Sequence, residues 1–181
     1  SVAESADDKV MQLTAGFTAM KRVLERAGLA IGDLGAIEFM EAFAVAPVLF
    51  ERDFDVDISY EGLLKNASDP GDEDRGRLGL AVYDRLAYVP ADLIEGSVSR
   101  TLEFAYADFC LAQMARALGH HADAARFLRR SHNWRQVFDP STGFVRGRNA
   151  DGSWAPLDPY SWGGPFIEGN AWHYTWAVPH D

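Results

Sequence analysis

Ser97-Val98-Ser99-Arg100-Thr101-Leu102-Glu103-Phe104-Ala105-Tyr106-Ala107-Asp108-Phe109-Cys110-Leu111-Ala112-Gln113-Met114-Ala115-Arg116-Ala117-Leu118 is the stretch whose reading decides the fold. Val98, Leu102, Ala105, Phe109 and Ala112 recur at helical spacing and make one apolar stripe; Phe104, Leu111, Ala115 and Leu118 make another. A helix that is apolar on two faces must be covered on both. The segment therefore predicts a central helix running to Leu118, with Ser97 as N-cap and Gly119 as its stop. Glu103, Tyr106 and Asp108 bring polar groups into this helix, and burial demands partners for them. They form either a structural network or the wall of a polar cavity.

Outward from this helix the pattern stays helical. Ala122 to Phe138 reads as the returning helix through Ala124, Leu128, Trp134 and Phe138, ended by Asp139-Pro140, because proline cannot continue the ladder. Arg126, Arg129 and Arg130, beside Asp123, read as its solvated face. Toward the N-terminus, Val10, Leu13, Phe17, Met20 and Leu24 mark one apolar face of a helix over 7–26, which Gly28 stops. A second, more apolar run spans 36–52, and a short helix over 59–66 has Tyr60, Leu63 and Leu64 as its inward side. The polar stretch 68–77 reads as a surface loop. Beyond Pro140 the character changes: Asp151-Gly152 can turn a tight hairpin of two very short strands, and Pro156, Pro159, Gly163, Gly164 and Pro165 make the remainder loop.

The 181 residues, 48% of them hydrophobic, suffice for one domain of ordinary size. The formal charge of −10 argues against a nucleic-acid partner, which needs a clustered basic surplus. No apolar run reaches the roughly 18 to 20 residues of a membrane span. Cys110 is the only cysteine, which excludes an intrachain disulfide; between Phe109 and Leu111 it reads as a buried structural thiol. His120-His121 lacks further ligands at metal spacing, so no metal site is assigned. The first residues lack a signal-peptide pattern.

The chain closes with Ile167-Glu168-Gly169-Asn170-Ala171-Trp172-His173-Tyr174-Thr175-Trp176-Ala177-Val178-Pro179-His180-Asp181. Chain ends are usually polar, so this aromatic end reads as the cut edge of a larger protein. Glu168 is the leading catalytic candidate, since a carboxyl near apolar rings can stay protonated for general-acid work. A capping or salt-bridged glutamate is the plain alternative. Trp172 and Trp176 offer faces on which the C–H faces of a sugar stack, though core aromatics serve equally. His173 and His180 can hydrogen-bond a ligand hydroxyl or be satisfied internally.

Two resemblances arise. Leu118-Gly119 through Ala124, Phe127 and Asp139-Pro140 loosely resembles a tetratricopeptide helix pair, but no second copy appears at a period of about 34 residues. More specific are Tyr88-Val89-Pro90-Ala91-Asp92, Ser97 through Phe109, Phe138-Asp139-Pro140, Gly143-Phe144-Val145-Arg146-Gly147, Asp151-Gly152-Ser153-Trp154 and Glu168-Gly169-Asn170-Ala171-Trp172. In this order they resemble the catalytic domain of the calcium-dependent exo-α-mannosidases of glycoside hydrolase family 92; before them only the stretch around Tyr60-Glu61-Gly62-Leu63-Leu64 does so, loosely.

The resemblance implies an all-α chain over 1–181, one fragment of an (α/α)6 barrel with a loop-rich C-terminal segment holding a short hairpin. It implies an N-terminal β-sandwich domain and the rest of the barrel outside this chain. The activity implied is removal of terminal α-mannose, of the α-1,2-mannosidase type, with inversion, from an α-mannoside oligosaccharide or N-glycan. Glu168 matches the family's proposed general acid; Trp172, His173 and Trp176 are expected site-wall residues. The general base and the calcium-binding segments are expected past Asp181. The isolated chain is accordingly expected to be inactive, to hold no calcium itself, and to self-associate through exposed barrel surface. Periplasmic or secreted location is implied. His173 stands where the family usually has glutamine, Ala107 where an acid is common and Phe109 where tryptophan is frequent. The alternative from another class is a non-catalytic helical carbohydrate-binding or interaction module.

Overall fold

Helical periodicity in the sequence becomes six α-helices among the described residues, with a single two-stranded hairpin. The computed structural model describes residues 2, 15–34, 56–70 and 76–181. The helices are α1 (Ala15–Ala27), α2 (Val56–Ser68), α3 (Leu80–Leu86), α4 (Ser97–Ala117), α5 (His121–Arg130) and α6 (Ala171–Tyr174); 3-10 turns occupy Ile31–Asp33 and Ser131–Gln136. Strands β1 (Phe138–Asp139) and β2 (Phe144–Val145) pair antiparallel, Phe138 opposite Val145. The chain divides into two compact units, Ser1–Leu63 and Leu64–Asp181.

In the first unit, α1 buries Phe17 and ends where expected, with the Gly28 and Leu29 amides donating to the Glu25 and Leu24 carbonyls. The start of this helix before Ala15 and the run predicted over 36–52 lie outside the described residues. Helix α2 begins three residues earlier than Ser59, and Tyr60 is buried as predicted.

The second unit is built around α4, and the two-stripe reading holds. Val98 and Leu102 join Tyr88, Val137, Val145, Phe166 and Ala171 in one cluster, while Phe104 meets Leu80, Tyr83 and Val89 in a second. Further along, Leu111, Ala112 and Ala115 are buried, and α4 packs chiefly against α5, whose Phe127 is fully buried. Gly119, with φ of 82°, lets the chain turn back into α5.

The start of α4 departs from expectation. Ser97 is not the N-cap: Gly96 occupies that position with φ of 66°, and the Ser97 hydroxyl is buried with no hydrogen-bond partner among the described residues. The free amides are satisfied by loop carbonyls instead. Val98 N–H donates to Pro165 O at 2.9 Å and Gly96 N–H to Gly164 O at 2.9 Å. The backbone of another segment thus does what a cap side chain usually does.

The returning helix also differs. It breaks after Arg130 into a 3-10 turn, and Phe138 lies in β1. The Asp139 carboxylate explains the exit: Oδ1 accepts from Ser141 N–H (2.9 Å) and Ser141 Oγ (2.7 Å), and Oδ2 from Arg146 Nη1 (2.9 Å). These bonds, the Ser141 hydroxyl first, hold the carboxyl below the usual range. The hairpin therefore turns at 140–143. Asp151-Gly152 also turns the chain, but it closes only the single bridge between Arg148 and Trp154.

Burial corrects two further expectations. Cys110 is exposed, on the same side of α4 as Glu103 and Ala107. Arg126 and Arg129 are solvated, but Arg130 is not, and Arg77 is drawn from the predicted surface loop into the interior. Both serve Asp108, which is 0% exposed. Arg130 Nε donates to Asp108 Oδ2 at 2.5 Å and Nη2 to Oδ1 at 2.8 Å; Arg77 Nη1 reaches Oδ1 at 2.6 Å. Arg130 also reaches Asp84 Oδ1 and Ala67 O, and lies over the Tyr83 and Phe127 rings. Asp108 is thus the centre of a structural network, the first of the two readings, whereas Glu103 on the same helix is exposed and Tyr106 only partly buried.

Two stability measurements check this account. Asp108→Asn removes the charge that two buried guanidinium groups share, and denaturant unfolding is expected to show a loss of about 3 to 5 kcal/mol. Ser97→Ala removes a hydroxyl without a partner, so stability is expected to rise or stay within about 0.5 kcal/mol, whereas loss of a true N-cap costs about 1 kcal/mol.

Candidate functional site

The terminal motif folds through a chain of local constraints. Asn170, in extended conformation, caps α6, its Oδ1 accepting His173 N–H at 3.3 Å. The same oxygen faces His173 Nδ1 at 2.7 Å. An amide oxygen only accepts, so Nδ1–H donates this bond and Nε2 is left to meet another group. Ala171 is fully buried against the core, which turns its neighbours Trp172 and His173 outward.

Gly169 is required by close approach. A Cβ there would lie 2.9 Å from Tyr174 Cε2. That ring cannot readily yield, since it stacks on Phe166 at 5.6 Å and its hydroxyl donates to Ile167 O at 2.7 Å. Gly163 N–H donates to Gly169 O at 3.0 Å, and Ile167 N–H to the buried Ser99 Oγ at 2.9 Å. Glu168 is thereby held between two anchored neighbours.

Its backbone shows the consequence. Glu168 has φ of 50°, the left-handed region that a residue with a Cβ rarely occupies. Such strain costs on the order of 1 kcal/mol and persists where surrounding structure imposes it. Its side chain is exposed, without apolar burial. The position predicted to carry the acid is therefore a strained, solvent-facing carboxylate on a fixed turn.

Exposed aromatic residues lie on the segments that precede and follow the turn. Trp172 is 43% exposed and rests edge-on against Phe144 of β2 at 5.1 Å; Trp176 is 77% exposed. Tyr160 and Trp162, which the sequence reading passed over, join them: Tyr160 lies 6.4 Å from Trp172, and Trp162 is edge-on to His173 at 5.4 Å. Trp172 and His173, which follow Glu168 in the motif, thus pair with Tyr160 and Trp162 respectively. The structure gives Trp176 no ring partner among the described residues. The signal for Tyr160 and Trp162 was an aromatic pair in a Pro- and Gly-rich loop.

The remaining candidates have structural duties. His180 Nε2 donates to Ser131 O at 2.9 Å, and its ring lies against Tyr106 and Phe109. Asp181 Oδ2 accepts from Trp134 Nε1, Arg135 Nη2 and His132 Nδ1. The Trp134 bond first, then the other two, hold that carboxyl below the usual range. Among the described residues no three His, Cys, Asp or Glu side chains gather into a metal-binding group. No described helix is long and apolar enough to cross a membrane.

Exposed aromatic residues in the same segment as an exposed acid make the kind of surface that handles carbohydrate, and comparison with known proteins agrees on a glycosidase. The profile of the glycosyl hydrolase family 92 catalytic domain matches residues 10–181, and the chain belongs to that family. A family 92 inverting mannosidase of Bacteroides thetaiotaomicron superposes on 75% of the chain with a TM-score of 0.70 at 35% identity. A family 92 α-mannosidase of the same organism covers 76% at 36% identity and a TM-score of 0.66, and its complex with mannoimidazole matches equally well, at 0.66. A secreted glycosidase of Arthroderma benhamiae is 27% identical over 161 residues, 70% of the chain. The chain spans about a fifth of each of these proteins: 19%, 18% and 21% of their lengths for the inverting mannosidase, the α-mannosidase and the secreted glycosidase.

By relieving the strained backbone, Glu168→Gly is expected to raise the unfolding free energy by up to about 1 kcal/mol, the left-handed penalty less the entropy cost of glycine. Thermal unfolding of the chain checks this; a clear loss of stability contradicts it.

Proposed function

We propose that this chain carries the proton-donor side of an α-mannosidase active site, with Glu168 as the general acid. The observation that carries the reading is the conformation of Glu168: a strained, exposed carboxyl held between anchored neighbours, in a segment that bears exposed aromatic residues. Strain retained at an exposed position points to use rather than packing.

In this reading Glu168 donates its proton to the glycosidic oxygen as the bond to the anomeric carbon breaks. Trp172, His173 and Trp176 form the wall, rings against sugar C–H faces and His173 Nε2 against a hydroxyl. Inversion needs a base about 6.5 to 9.5 Å from the acid, activating water on the opposite face of the sugar. That base comes from another part of the intact enzyme. The residues that hold calcium in the intact enzyme are likewise expected in another part of it. The substrate is a terminal α-linked mannose on an oligosaccharide or N-glycan, consistent with the mannosidase relatives, and export is consistent with the secreted one.

Glu168→Gln in the intact enzyme tests the role. Turnover of a mannobioside is expected to fall about 10²- to 10⁴-fold, with far less loss on α-mannosyl fluoride, whose leaving group needs little protonation. Equal loss on both substrates, or none, overturns the assignment. The isolated chain is expected to release no mannose. Release that Glu168→Gln abolishes would show that the chain holds a complete site.

A further inference from the structure

We infer that Tyr160 and Trp162 form the platform for the sugar that departs, and so set the enzyme's preference for its leaving group. The inference rests on Glu168 being the acid and adds two residues to that site. It begins from an oddity of the loop. Tyr160 is 73% and Trp162 64% exposed, more than Trp172 at 43%, so neither ring contributes to the core.

Yet the loop that bears them is fixed. Asp158 Oδ1 accepts Tyr160 N–H at 3.0 Å and Asp158 O accepts Ser161 N–H at 3.2 Å. Gly163 N–H donates to Gly169 O at 3.0 Å, and Asn170 Nδ2 to Tyr160 O at 3.4 Å. Two of these four bonds end on the residues that immediately follow Glu168. A loop tied this way presents its rings at little entropic cost on binding.

The chemistry of the rings matches a pyranose. Each combines an apolar face with one polar edge group, the Tyr160 hydroxyl and the Trp162 indole N–H, as a sugar combines a C–H face with hydroxyls. They reach the site through its own members: Tyr160 lies by Trp172, and Trp162 meets His173 edge-on. Their openness decides which sugar they serve. The mannose being cleaved must be enclosed between the acid, the base and the attacking water; the open rings of Tyr160 and Trp162 on their tied loop suit a group that has to leave.

The test compares two substrates of the intact enzyme that share the mannose and differ in what departs, a mannobioside and α-mannosyl fluoride. For Tyr160→Ala and for Trp162→Ala, the ratio of kcat/KM for the mannobioside to that for the fluoride is expected to fall about tenfold. Tyr160→Phe and Trp162→Phe, which keep a ring, are expected to restore most of it. An unchanged ratio overturns the inference. So does equal loss on both substrates with a lowered Tm, the result expected if the rings are instead covered by another part of the enzyme. Failure of the acid assignment shows separately, as equal response of the two substrates to Glu168→Gln.

Discussion

The first turn of α4 has no side-chain cap, and its free amides are taken by the carbonyls of Gly164 and Pro165. This exchange makes the central helix and the candidate site one structure. An uncapped helix start inside a core leaves backbone donors unpaired, at about 1 to 3 kcal/mol for each. Here the loop supplies the acceptors and is itself fixed by supplying them. Gly96 permits the approach: a Cβ there would come within 2.5 Å of Ile167 Cγ1. Ser99 then receives the Ile167 amide, one residue before Glu168.

The other end of the unit is held by charge. Asp108 sits fully buried between two guanidinium groups, and Arg130 reaches onward to Asp84 and the Ala67 carbonyl. Within the second unit, one carboxylate therefore joins the Ala67 carbonyl, the segment before α3, α3 itself and α5 to α4. Apolar burial supplies most of the attraction in such a core, but it is not directional. The bidentate geometry of Arg130 on Asp108 gives the arrangement its register.

What the sequence made legible follows from where each signal resides. Helix α4 was readable because two apolar stripes repeat within it, and the motif around Glu168 because its residues are contiguous. The cap of α4 was not readable, since its acceptors are backbone carbonyls of a distant loop and leave no mark on residue identity. Ser97 looked like a cap because its type suits one. Arg130 looked solvated because its neighbours Arg126 and Arg129 are; only a partner on another helix distinguishes it. Cys110 was misread from its immediate neighbours, although helical spacing places it with Glu103 and Ala107 on the open side. Tyr160 and Trp162 carry no periodicity and were passed over, because their meaning lies in the loop's bonds to Gly169 and Asn170.

The central claim is that the turn holding Glu168 is fixed by the start of α4 and not merely adjacent to it. Amide hydrogen exchange on the folded chain tests this most directly, because protection reports the opening of individual bonds. The account predicts that the Val98, Gly163 and Ile167 amides exchange nearly as slowly as those in the middle of α4. Rapid exchange at Gly163 and Ile167, with the middle of α4 protected, would contradict it.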